Sequence, residues 1–365
     1  MNYLQKKKIA FMSIVNRVKG FVRTVIGTLP LTLTNCVDKK SVTDYKLYGQ
    51  SVQNGTPSPD TPIEIESVGE YDSVSGKYKI PVTVSGKNLI PEWKAGWIVA
   101  GTGVLNENYS TRRYTDYIPI ESGVSYMVSG GGTNSNWTLY DENFKFLSGQ
   151  IFGSSRHINH SSAKYVRIAH PNTDTSDIQI EKGSTITDYE PYHKPITTNI
   201  YLDEPLRKIG KNEDYIDFEN GKVLRYVKRK RLTKAGTLYT IGGLVGFYTD
   251  FGFLDSNYLR TTGLSNREKT FTEIPKDSTT IWLGVNNSIV YWIGILSKLG
   301  FTTLTQMNNW LSENETWIYW VSKTPTETPI TLPNLPTFKG TSVVSVDTTI
   351  QPSNAEIEYF SNIKE

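Results

Sequence analysis

The chain has a single cysteine, Cys36, so an internal disulfide is excluded and no second thiol exists for a Cys-based metal site. No stretch approaches the roughly 18 uninterrupted apolar residues of a membrane span, and membrane insertion is not expected. Lys6 to Lys8 followed by an apolar run has the outline of a secretion signal. However, Asn16, Arg17, Lys19 and Arg23 interrupt the apolar part, and Asn35 before Cys36 fits a lipoprotein cleavage site poorly. Neither sign of charge dominates: 39 basic against 36 acidic residues leave +3, too balanced for a nucleic-acid partner to be read from charge.

Catalytic motifs are also missing. The chain has no Gly-x-Ser-x-Gly elbow, no His-Glu-x-x-His and no phosphate-binding Gly-x-x-x-x-Gly-Lys-Ser/Thr. Of four histidines, His157 and His160 are three apart, but they sit in a Ser/Asn-rich stretch without a flanking carboxylate and read as a polar loop. Asp141 with Glu142, or Asp214 with Asp217, would suit a glycosidase only at a separation that sequence cannot give. Gly130-Gly131-Gly132 reads as a flexible turn. No catalytic residue, metal or cofactor is therefore assigned, and a non-enzymatic protein is expected.

Aromatic and β-favouring residues are what the chain has in quantity, with 22 Tyr, 13 Phe and 8 Trp alongside many Thr, Ser and Gly. A length of 365 residues implies two or three folding units. Val15, Val18, Val22, Val25 and Leu29 step by three and four, which predicts an amphipathic N-terminal helix over 6–29 that either packs on its own domain or joins copies of the chain. From Pro30 onward, short alternating runs are separated by Gly, Pro, Asn and Asp. The strongest pattern is 45–69: a run from Tyr45 to Tyr48, a polar turn at Gln53–Gly55, three prolines (Pro57, Pro59, Pro62), then Ile63 and Ile65 alternating with glutamates. Asn220-Gly221 is a hairpin signal, and Thr305 is the expected N-cap of a short helix over 305–312 carrying Met307, Trp310 and Leu311.

The 45–69 run, Gly86-Lys-Asn-Leu89, Ile200–Arg207, Asp214–Gly221 and Thr348–Tyr359 resemble, in this order, recurrent phrases of tail-tip, baseplate and tail-fibre proteins of phages infecting Gram-positive bacteria. Residues 178–192, containing Glu181-Lys-Gly-Ser-Thr-Ile-Thr-Asp-Tyr-Glu-Pro-Tyr192, are similar to the closing strand of carbohydrate-binding-module-like jelly rolls in such proteins. The resemblance implies a mainly β chain. With the helix read from valine spacing and a second sandwich read from segment size and strand pattern, the parts would be an N-terminal helix (1–29), a base domain interrupted into 30–87, 194–227 and 329–365, a jelly-roll β-sandwich at 88–193 and a second β-sandwich at 228–328. The resemblance also implies a virion tail component made in the host cytoplasm, assembled with other tail proteins and with itself, most simply as a homotrimer.

Sugar recognition needs exposed aromatic faces interleaved with amides and cations. Residues 88–160 hold such a mixture, and Trp93, Trp97, Tyr109, Asn134, Asn136, Arg156 and His157 are the candidate ligand contacts. Trp137 and Tyr140 alternate on an expected strand and read as core. The expected partner is host cell-wall polysaccharide or teichoic acid. A purely architectural role without receptor binding is the alternative, and glycan degradation ranks below both. The basic run Lys228–Arg231 reads as a solvated strand edge.

Overall fold

Period-2 alternation builds the strand Lys77–Gly86, where Ile80, Val82 and Val84 are fully buried and Pro81, Thr83 and Ser85 between them are not. The structure is a computed structural model describing residues 21–27, 31–36, 44–58, 60–153, 155–174, 177–234, 236–241, 244–250, 258–267, 282–286, 289–293 and 301–361. The protein is mainly β, as the composition predicts.

Two sheets face each other across the base. One is seven-stranded, in the order Phe21–Gly27, Ala355–Ser361, Asp44–Tyr48, Tyr215–Asp217, Lys222–Leu232, Thr316–Pro329 and Tyr258–Ser265. The other runs Ile196–Leu202, Lys77–Gly86, Gly340–Val346 and Leu31–Cys36, with Glu70–Asp72 added on Lys77–Gly86. Their shared core joins Tyr45, Leu47, Ile80, Val84, Ile200, Ile216, Val223 and Val344, residues far apart in sequence. Asn220-Gly221 turns the chain between Tyr215–Asp217 and Lys222–Leu224, with Asn220 N–H donating to Asp217 Oδ1 at 3.0 Å.

Two long segments replace hairpin turns of this base. Lys77–Gly86 pairs antiparallel with Ile196–Leu202 (Val84 opposite Ile196), so residues 87–195 occupy the place of the turn. Lys222–Leu232 likewise pairs with Thr316–Pro329, Leu232 opposite Thr316, and residues 233–315 fill that gap. The second segment returns Tyr258–Ser265 to the seven-stranded sheet. It also forms a four-stranded sheet in the order Thr237–Ile241, Leu244–Asp250, Ile289–Ile293 and Trp282–Asn286.

The helix expected over 6–29 is corrected by the strand Phe21–Gly27, which pairs residue for residue with Ala355–Ser361. Val22, Thr24, Val25 and Ile26 are β-branched, and a waiting partner strand outweighs the valine spacing. Residues 1–20 lie outside the described residues. The late helix runs Leu304–Glu313, and its cap is Thr303 rather than Thr305. Thr303 and Gln306 form a capping box, with Thr303 Oγ1 accepting from Gln306 N–H at 3.3 Å and Thr303 N–H donating to Gln306 Oε1 at 3.1 Å.

Candidate functional site

Residues 88–182 fold as two sheets around their own core. The larger orders Phe146–Ile151, Asn136–Tyr140, Tyr165–Pro171, Arg112–Tyr114 and Lys94–Ala95; the smaller orders His157–Ile158, Tyr126–Ser129 and Gln179–Lys182. Trp137, Leu139, Val166 and Ile168 point from the larger sheet onto Tyr126, Val128, Ile158 and Ile180. Trp137 and Tyr140 are both buried, but three residues apart they lie on opposite faces: Trp137 in this core and Tyr140 on the other side of the sheet.

The other face of the larger sheet is partly roofed by residues 96–106. Trp97–Ile98 and Leu105–Asn106 pair as a small hairpin, and Ile98 packs with Tyr114 and Ala169. Asn136, fully buried, donates its amide to Ile98 O at 3.0 Å, and Tyr140 Oη–H donates to Gly103 O at 3.0 Å. A side chain at Gly149 would run into Ala100 O at 2.3 Å, so the roof rests directly on strand backbone. Every residue of Asn136–Tyr140 is consequently buried, on both faces of its sheet.

Beside this roof runs a row of rings and guanidinium groups. Arg112 lies 3.8 Å over the Trp97 ring, and Arg167 stands 4.8 Å over Tyr114 and 4.5 Å over Tyr117. Tyr117 then meets Tyr140 edge-on at 4.9 Å and Phe144 at 4.8 Å, while Phe144 stacks on Tyr165 at 4.7 Å. Composition alone flagged the tryptophans; Arg112, Tyr117, Phe144, Tyr165 and Arg167 were missed. Their signal is the placement of Phe144 in a hairpin turn, where a large aromatic is unusual.

The sequence candidates divide. Trp93 is half-buried against the sandwich core under Arg113, whose guanidinium lies 4.7 Å from its ring, and Trp97, part of the roof hairpin, is half-buried under Arg112. Tyr109, Asn134 and His157 are exposed, and Asn136 is enclosed. Arg156 donates to Gly130 O and, at 3.0 Å, to Gly131 O, so the triple glycine is pinned. Gly130 has φ +72° and a Cβ there would lie 1.6 Å from Asp177 O, which only glycine avoids. Beneath this loop, fully buried Ser135 and His170 meet at 2.7 Å from Oγ to Nδ1, and His170 Nε2–H donates to Asp174 O at 2.8 Å. Their burial makes the pair structural.

No cluster of three or more His, Cys, Asp or Glu that could hold a metal occurs among the described residues. No helix among them is long and apolar enough to cross a membrane. A cleft of about 860 Å³ in the base is lined by Lys77, Tyr201, Glu204, Arg225, Arg229 and Trp320. Its charges are matched internally: Lys77 pairs with Asp203 at 3.4 Å, and Glu204 accepts from Arg207 at 2.6 Å and forms an ion pair with Arg229 at 3.3 Å. Arg229, from the basic run, also stacks over Trp317 at 4.7 Å, and the run's strand, Lys222–Leu232, lies inside the seven-stranded sheet rather than at a solvated edge.

The chain is similar to a tail fiber protein of Enterococcus phage phiEF24C, 25% identical over 180 residues. The match covers 44% of this chain and 10% of that protein, so the chain spans a small part of its relative's length. No family model and no solved structure matches the chain.

Proposed function

We propose that the chain is a non-enzymatic structural protein of a phage tail, carried on the virion, and that its 88–193 sandwich binds carbohydrate of a Gram-positive host surface. The observation that carries the tail assignment is the similarity to a phage tail fiber protein. The partly exposed members of the row, Trp97 with Arg112 and Phe144 stacked on Tyr165, support the binding role, because aromatic faces beside a cation suit a sugar; Arg167, Tyr114 and Tyr140 are buried and only brace them. Trp97 would contribute from the roof and the exposed Tyr109 from the loop that follows it, with Trp93, Asn134, Arg156 and His157 peripheral. Other tail proteins and further copies of the chain, in a homotrimer, are the proposed partners; repetition would turn weak single contacts into firm attachment.

Architecture without receptor binding is the competing function, and the half-burial of Trp93 and Trp97 under arginines favours it. A pull-down of the full chain on host cell walls, with and without teichoic acid and wall polysaccharide removed, separates the two. Retention lost with one polymer identifies the ligand class. No retention on any wall leaves the architectural role.

A further inference from the structure

The turn joining Asn136–Tyr140 to Phe146–Ile151 is held by its own backbone. Asp141 N–H donates to Lys145 O at 3.0 Å, Phe144 N–H donates to Asp141 O at 3.1 Å, and Asp141 Oδ1 accepts from the N–H groups of Asn143 and Lys145, both at 2.9 Å. This closure needs one residue in the left-handed region, a position that Gly or Asn takes most readily. The chain has Asn143 one place earlier and puts Phe144 there instead, at φ +61°. Among the described residues it is the only non-glycine with positive φ. A bulky side chain in that region is strained, and such strain persists where something else demands the side chain.

Core packing does not account for it, since half of Phe144 faces solvent, at 50% exposure. Its ring is held from beneath by Tyr165, stacked at 4.7 Å and 25°, and from the side by Tyr117 at 4.8 Å. Tyr117 is fixed in turn by Tyr140 and by the Arg167 guanidinium. The result is a flat aromatic face, presented outward and braced against tilting. Glu142, Asn143 and Lys145, all exposed on the same turn, put a carboxylate, an amide and an ammonium around it.

We propose that Phe144 is the stacking platform for a sugar ring of the host-surface polysaccharide, with Tyr117 and Tyr165 as positioning residues and the polar residues of the turn bonding its hydroxyls. This rests on the carbohydrate-binding role proposed above. A sugar ring presents C–H groups on one face and hydroxyls at its rim, matching an apolar disc ringed by polar groups. An apolar peptide or lipid would gain only the area of one half-exposed ring here and would make no use of the polar groups around it. The open site also suits a chain that lies across a surface.

The test uses the full chain, purified wall polysaccharide from Gram-positive strains including an Enterococcus, and the variants Phe144→Gly, Phe144→Tyr and Trp93→Ala. Phe144→Gly is expected to weaken binding by about tenfold or more while melting no lower than the original protein, because glycine relieves the backbone as the platform is lost. Phe144→Tyr is expected to bind within about threefold, and Trp93→Ala to lose less affinity than Phe144→Gly. Two results would overturn the proposal: Phe144→Gly binding as well as the original protein, or Phe144→Gly melting well below it, which would show the ring held for packing. If the unaltered chain binds no wall polysaccharide, the carbohydrate-binding role itself fails and takes this inference with it.

Discussion

The ammonium of Lys87 lies 2.9 Å from the carboxylate of Glu190, joining the start of the inserted sandwich to its end. Lys87 also donates to Thr187 Oγ1 at 2.7 Å and Asp188 O at 2.6 Å, and neighbouring Asn88 donates to Glu190 O at 3.0 Å. Glu190 reaches into the base, accepting from Thr341 N–H at 2.7 Å and Thr341 Oγ1–H at 2.8 Å. Gly340 permits this approach: at φ +92°, a Cβ there would lie 2.6 Å from the Glu190 carboxylate. His193, stacked 4.5 Å from Phe338, closes the same joint.

Replacing Glu190 with Ala leaves the Thr341 N–H unpaired and takes the counter-charge from the partly buried Lys87 ammonium, which keeps only its neutral acceptors Thr187 Oγ1 and Asp188 O. An expected loss of about 2 kcal/mol follows from unmaking charge-assisted bonds in a partly buried site. Urea unfolding measures it, and Glu190→Gln, which keeps acceptor capacity without charge, is expected to lose less. Equal stability in all three proteins would show that the joint contributes nothing.

The Asn136 amide holds the roof at Ile98 O. Asn136→Ala is expected to cost about 1–2 kcal/mol by leaving that carbonyl unpaired in a buried place. Hydrogen exchange is expected to quicken at Val99, whose N–H donates to Val104 O at 2.9 Å within the roof hairpin. Unchanged exchange there would mean that the Tyr140 bond and the packing of Ile98 on Tyr114 and Ala169 secure the roof without the Asn136 amide.

Burial lowers the His170 pKa from its ordinary 6.5, more than the bond to Asp174 O raises it, and Arg113 adds to the lowering. The unfolded chain therefore takes up this proton more readily than the folded one. Stability from this site is complete above pH 6.5 and is lost as pH falls below it toward the lowered folded value. Urea unfolding between about pH 7.5 and about pH 5 is expected to show that decline, and His170→Gln to remove it. A decline of the same steepness in His170→Gln would place its origin elsewhere.

Thr303→Ala is expected to cost about 1 kcal/mol by removing the capping hydroxyl, and Thr303→Ser to restore most of it. Thr305→Ala, inside the first turn of the helix, is expected to be nearly neutral; thermal unfolding of the three variants makes the comparison, and an equal loss in Thr303→Ala and Thr305→Ala would show that the cap contributes nothing.

The β class was legible because alternation such as Ile80, Val82, Val84 is a local property of the chain. Strand Phe21–Gly27 was not, because its valine spacing fits a helical seam and only the distant Ala355–Ser361 decides against it. The cap moved from Thr305 to Thr303 because Gln306, the reciprocal partner, lies three residues after Thr303. Among the site candidates, exposure was the hidden variable: Asn136 and Tyr109 look alike in a polar stretch, yet the roof encloses one and leaves the other in water. Phe144 shows the converse, since its backbone angle cannot be seen in a list of residue types.

Both inserted segments stand where two-residue turns would otherwise connect paired strands, at Val84 opposite Ile196 and at Leu232 opposite Thr316. The base thus fixes its register by strand pairing and by the shared core, whatever the length of chain looped out between the ends. Because entry and exit of the first segment meet at Lys87 and Glu190, a different module with the same two clasping ends could be spliced in without rerouting any base strand. The scaffold is in that sense a socket, and the surface carried by the inserted module can change while the socket does not.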